Sequence, residues 1–125
     1  MAAVEIARGV YLSIGTANQD AVEISQHVDT TGASKVTVML TVTALSAATT
    51  SSSLTLTGQV QGTNDRATNW TDITDILVSA TAVGTFQDAG DIGGYAYVRV
   101  LWKLADATAL IGSYVIFSAT LNLGL

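Results

Sequence analysis

The sequence predicts an all-β fold: a single antiparallel β-sandwich or jelly-roll-like domain over residues 1–125, with a small β-barrel as the alternative. Three observations predict it. Apolar and polar residues alternate through Lys35–Leu45, Tyr95–Leu104 and Tyr114–Leu125, the period of a strand with one buried face. No stretch carries the apolar stripe of an amphipathic helix. Turn clusters of Gly, Asn, Asp and Ser separate the alternating segments at short intervals, which suits two packed sheets.

Taken in order, Val4–Ile14 opens as a strand, with Val10, Leu12 and Ile14 alternating with Tyr11 and Ser13 and a bulge or bend at Gly9. Residues 1–10 are loosely apolar and make a candidate N-terminal arm reaching a neighbouring subunit. Val22–Val28 is a weaker strand, with Val22, Ile24 and Gln26 on one face and Glu23, Ser25 and His27 on the other. Asp29–Ser34 is a turn. The clearest strand, Lys35–Leu45, puts Val36, Val38, Leu40, Val42 and Ala44 on its core face. Ser46–Ser53 is a low-complexity loop.

Leu54–Gln61 turns Leu54, Leu56, Gly58 and Val60 inward and leads to a polar hairpin tip, Gly62–Asn69. Trp70, Ile73, Ile76 and Val78 carry an irregular segment, where Asp72–Leu77 is expected to bend between sheets or form a short helical turn. Ala80–Asp91 is loosely β, with Val83 and Phe86 as core residues and a turn at Gly84; Asp88–Gly94 is a glycine-rich connection. In Tyr95–Leu104, Ala96, Val98, Val100 and Trp102 share one face, and Tyr95, Tyr97, Arg99, Leu101 and Lys103 the other. After a turn at Ala105–Ser113, the last strand sends Val115, Phe117, Ala119, Leu121 and Leu123 inward.

Composition narrows the function. Charged residues are 12% of the chain, about half the usual share. The net charge is -5 and the five cations are scattered singly, which argues against a nucleic-acid partner. A surface of hydroxyls rather than charges costs less to desolvate and suits extended protein contact. No apolar run is long enough for a membrane-spanning helix, and no membrane partner is expected. No signal peptide is visible. The absence of cysteine points to a bacterial or viral chain made in a reducing cytoplasm. The absence of proline removes one device for blunting sheet edges, so the edges are expected to be covered by something else, such as another chain.

No catalytic residue, cofactor or metal site is assigned. His27 is the one histidine; it lies near Glu23 and Asp29, but no nucleophile-elbow motif accompanies it, and it reads as an ordinary strand-edge residue. Asp72 with Asp75, and Asp88 with Asp91, are close pairs in loop-like contexts where Asp caps turns. Asn64, Asp65, Asp72, Asp88 and Asp91 could supply oxygens to calcium, without any recognisable spacing. Trp70, Trp102, Tyr95 and Tyr97 are candidates for a sugar-stacking platform, although Trp102 shares its face with Val98 and Val100 and so points to the core. The residues left as candidate interaction or turn positions are Asn64, Asp65, Asn69, Trp70 and Arg99. Asn and Asp suit the reversal at the hairpin tip, Trp70 is expected to cover one end of the core, and Arg99 to pair with Asp65 or Asp72.

An ordered set of short pieces carries a family resemblance. Gly62, Asn64 and Asp65 form a Gly-x-Asn-Asp turn; Asn69, Trp70, Thr71 and Asp72 follow; then come Tyr97-Val98-Arg99-Val100 and a final strand with Phe117, Ser118 and Thr120. From Lys35 to the C-terminus this pattern resembles small virion structural proteins of tailed bacteriophages, of the capsid decoration (cement) type. The N-terminal third carries no matching motif. The resemblance implies a non-enzymatic protein, made in the host cytoplasm and located on the capsid surface. It would oligomerise there, with a trimer favoured, contact the major capsid or other virion proteins, stabilise the capsid lattice and need no cofactor. The alternative expectation is a carbohydrate- or receptor-binding module of a phage tail or fibre.

Overall fold

The computed structural model describes residues 2–15, 20–30, 32–47, 54–65, 69–106 and 112–124. Among them are nine strands and no helix: β1 (Ala2–Ser13), β2 (Ala21–Ile24), β3 (Val28–Asp29), β4 (Lys35–Ser46), β5 (Leu54–Thr63), β6 (Thr71–Ala80), β7 (Gly84–Asp91), β8 (Tyr97–Asp106) and β9 (Tyr114–Gly124). One sheet has the order β1-β9-β4-β7. The other has β2-β8-β5-β6, with β3 also on β8. All pairs are antiparallel.

The order follows from one nesting. β5 pairs with β6 around the tip, then β4 with β7, β2 and β3 with β8, and β1 with β9. The strands thus nest as a long two-stranded ribbon that reverses between β5 and β6. Rolling the ribbon adds the β4–β9 and β5–β8 pairs and brings the two sheets face to face. This is the jelly-roll arrangement of two four-stranded layers, counting β2 and β3 as one interrupted strand. It is a two-sheet sandwich, not a closed barrel.

The core lies between the sheets and is set by the alternation. Val36, Val38, Leu40 and Val42 of β4 and Val115, Phe117, Ala119 and Leu121 of β9 face Leu54, Leu56 and Val60 of β5 and Val98, Val100, Trp102 and Leu104 of β8. Each such large side chain, once buried, contributes roughly 1.5–3 kcal/mol against the entropy of ordering the chain. Trp102 is 1% exposed and packs on Phe117, with ring centroids 4.8 Å apart. Its room comes from Gly58, paired directly opposite on β5, where a Cβ would lie 2.4 Å from the indole ring.

Bulges interrupt the pairing, and short polar side chains fill them. Between Ile24 and Val28 the strand carries one residue more than β8 does; Ser25 Oγ accepts the Val100 N–H at 2.9 Å while Ser25 N donates to Val100 O. β4 slips one residue after Val42, and the extra Thr43 donates from Oγ1 to Ile116 O at 3.2 Å. β1 slips twice; at Gly9, with φ of 54°, the N–H turns to Ser118 Oγ at 2.9 Å. β6 carries the largest slip, between Leu77 opposite Gln59 and Asp72 opposite Gln61. The Gln59 amide occupies it, with Nε2 donating to Ile73 O at 2.8 Å and Ile76 O at 3.2 Å. Part of the Ser and Thr content therefore satisfies backbone groups that regular ladders would have paired.

Several expectations are corrected. Residues 2–10 are not an arm in this fold: they form most of β1 and pair along β9. The Val22–Val28 strand is split by the Ser25 bulge. Asp72–Leu77 is neither a helical turn nor a bend between sheets, because the Gln59 amide lets the segment bulge and stay in β6. The slip after Val42 turns Leu45, not Ala44, toward the core. Val83 is 61% exposed on the β6–β7 turn, while Phe86 does pack against the core. Asp88–Asp91 belongs to β7, and the connection to β8 begins at the buried Ile92. Two of the four sheet edges are interrupted within the chain: β1 by its bulges, and β6 in part by Asp88, whose Oδ2 accepts the Leu77 N–H at 2.9 Å. Most of the Ser46–Ser53 loop, the 66–68 part of the hairpin tip and most of the Ala105–Ser113 turn lie outside the described residues.

Candidate functional site

The outward face of the β2-β8-β5-β6 sheet is read in cross-strand rows. At its middle, register aligns Ile24, Leu101, Gln59 and Leu77 across four strands. The next row, away from the hairpin tip, runs Val22, Lys103, Thr57 and Ser79. Toward the tip comes Arg99, Gln61 and Asp72, then Asp29, Tyr97 and Thr63. Strand alternation explains why these residues point outward, since Val98, Val100 and Trp102 between them point in.

Two features stand out on this face. The first is apolar: Val22 is 50% exposed, Ile24 48% and Leu77 43%, with Leu101 half-buried among them. Large aliphatic side chains left in water across neighbouring strands forfeit the gain that burial would bring.

The second lies at the hairpin-tip end. Arg99 Nε donates to Gln61 Oε1 at 2.8 Å, and Gln61 Nε2 donates to Asp72 Oδ1 at 2.8 Å. The Arg99 guanidinium carbon sits 4.3 Å from the centroid of the Trp70 ring. His27 lies edge-on to Tyr97, with centroids 5.8 Å apart, and 6.4 Å from Trp70. Loss of hydration lowers the Arg99 pKa from its ordinary value, yet a guanidinium keeps its charge at neutral pH. The cation–π contact and the two amide-mediated bonds hold it in place.

The sequence candidates separate into two groups. Asn64, Asp65 and Asn69 shape the turn. Asn64 Oδ1 accepts the Ala96 N–H at 2.9 Å, tying the β5–β6 and β7–β8 connections together. Thr63 Oγ1 accepts the Asp65 N–H at 2.9 Å and donates to Asp65 O at 2.8 Å. Asn69 has φ of 61°, the left-handed conformation that Asn tolerates best after Gly. Trp70 and Arg99 do come together. Trp70 does not cap the core: it is half-buried against Arg99 on the outer face. Arg99 reaches Asp72 through Gln61 rather than by a direct ion pair.

Of the four aromatics grouped as a platform, Trp102 is in the core and the Tyr95 ring lies over Gly62, so Trp70 and Tyr97 remain, joined by His27. Gln61 was missed because its neighbours depend on strand register. Asp72 and Asp88 each hold a different local hydrogen bond, and among the described residues no three His, Cys, Asp or Glu side chains are grouped to hold a metal ion. A shallow depression on the other sheet, lined by Glu5, Met39, Thr41, Ser118 and Thr120, opens beside the β1 bulges.

The geometry defines a jelly-roll sandwich with a partly apolar outer face and a preset aromatic and polar cluster at one end. The chain matches no known family model and no curated protein.

Proposed function

We propose that the chain is a non-enzymatic virion structural protein of the capsid decoration type, which oligomerises on the head surface and stabilises the capsid lattice. The reading is carried by the exposed apolar side chains of Val22, Ile24 and Leu77, which lie in two adjacent rows around Leu101. A sheet face with exposed aliphatic side chains gains by docking on another protein surface. Its partners would be further copies, a trimer being favoured, and the major capsid protein. The ordered resemblance from Lys35 onward supports the virion assignment. By analogy alone, jelly rolls also serve as capsid and lectin domains.

The test uses the purified chain, light scattering coupled to size exclusion, and sedimentation with expanded capsids. The expected result is a symmetric oligomer that co-sediments with capsids. Ile24→Lys should weaken both by at least about tenfold, since a charge in a buried contact costs well over 1.4 kcal/mol. A stable monomer that ignores capsids overturns the proposal. So does an Ile24→Lys variant that assembles like the parent.

A further inference from the structure

We infer that the hairpin-tip end of this face, built from Trp70, Tyr97, Arg99, Gln61 and Asp72, is a carbohydrate-binding site. Three observations converge on it. The polar groups are preset: the Arg99–Gln61–Asp72 chain holds two long side chains and a short one in one row, so the ordering entropy of Arg99 and Gln61 is spent before any ligand arrives. Only Nε of Arg99 and one oxygen of Asp72 are used in that chain. The guanidinium terminal N–H groups and Asp72 Oδ2 have no hydrogen-bond partner among the described residues. They offer donors and an acceptor side by side, the set that adjacent sugar hydroxyls require.

The aromatic surface is set as well. Asn69, at φ of 61°, is the one non-glycine residue among those described with a left-handed backbone. That conformation costs free energy, and it lies immediately before Trp70, which is laid against the sheet face. Trp70 and Tyr97 are half-buried and His27 lies beside both. Arg99 covers one face of the Trp70 indole, so the polarised C–H groups of a sugar ring would meet the opposite face.

The same groups discriminate between ligand classes. Among the described residues of the site the one cation, Arg99, is linked through Gln61 to the carboxylate of Asp72, an arrangement that does not favour phosphates or nucleic acid. A neutral, hydroxyl-rich chain with C–H faces fits both halves. The inference is independent of the assembly proposal, because it rests on the rows toward the tip and not on the Ile24–Leu77 row.

The experiment is a ¹⁵N NMR titration of the full chain with chitohexaose, maltohexaose, cellohexaose and purified O-antigen polysaccharide, each to about 10 mM, where even weak sites are occupied. At least one saccharide is expected to shift the Trp70 indole N–H and the Tyr97 and Arg99 resonances. The Trp102 indole should stay unmoved, being buried. Trp70→Ala should weaken that binding by at least about tenfold, and Gln61→Ala, which releases Arg99, by about threefold to tenfold. Ile24→Lys should bind as the parent does, which separates this outcome from failure of assembly. Should Trp70→Ala unfold, Asp72→Asn and Trp70→Phe carry the same test, each expected to weaken binding in a folded chain. The inference is overturned if none of the four saccharides shifts these resonances, if binding survives in Trp70→Ala, or if the cluster responds only to a protein partner.

Discussion

Gly58→Ala tests the packing argument most directly. Gly58 sits opposite Trp102, and a Cβ built on it would lie 2.4 Å from Cζ3, 2.8 Å from Cε3 and 3.0 Å from Cη2 of the indole. Ordinary contact begins about 1 Å further out, so the ring or the strand must move by that much. The ring has little room, because Phe117 packs against it at a tilt with centroids 4.8 Å apart and Trp102 is 1% exposed. Overpacking of this kind costs about 1–3 kcal/mol, and the tightness here places it near the top of that range. Replacing Gly by Ala returns about 0.4–1 kcal/mol by restricting the unfolded chain. The net expectation is a loss of about 2 kcal/mol, or roughly 6–10 °C in Tm for a chain of this size. Urea unfolding followed by tryptophan fluorescence measures it. Gly15→Ala is the control: a Cβ there meets nothing within 4 Å, and stability should change by less than about 0.5 kcal/mol. Combining Gly58→Ala with Trp102→Leu should recover most of the penalty as coupling between the sites. A Gly58→Ala chain as stable as the parent, or strict additivity in the double variant, would refute the reasoning.

Two further outcomes rest on named hydrogen bonds. Gln59→Leu leaves the Ile73 and Ile76 carbonyls without the amide that fills the β6 bulge; urea unfolding should show a loss of about 1–2 kcal/mol, with faster amide exchange confined to residues 72–77. Thr30→Val keeps the shape of a residue only 2% exposed but removes its 2.7 Å bond to Tyr95 O, and should cost about 1–2 kcal/mol in the same assay.

The strands were legible because one buried face imposes a period of two, and the alternation of Lys35–Leu45, Leu54–Gln61 and Tyr95–Leu104 shows it plainly. The bulge at Gly9 was legible from the glycine itself; what the sequence concealed were the other slips. A bulge changes which parity faces the core, as Leu45 shows, and whether one forms depends on a side chain on another strand, such as Gln59 serving the carbonyls of β6. The site was half legible for the same reason. Trp70 and Arg99 drew notice as residue types, and strand parity placed Tyr97, Arg99 and Leu101 on one face. That Gln61 lies between Arg99 and Asp72, or that His27 meets Tyr97, is a matter of register, which single-strand patterns do not contain.

The nesting of strand pairs about the β5–β6 reversal also dictates an order of closure. Joining β5 to β6 shuts only a short loop, and once made it brings β4 within reach of β7 at little further entropic cost. β2 and β3 then meet β8, and last of all β1 meets β9, where Ala2 finds Leu123. Formed first, that final pair would have to trap nearly the whole chain as one loop, a slow step of the kind that retards folds dominated by distant contacts. The β5–β6 pair is therefore the one whose closure costs least entropy, and the pairing of β1 with β9 the one that costs most if made alone.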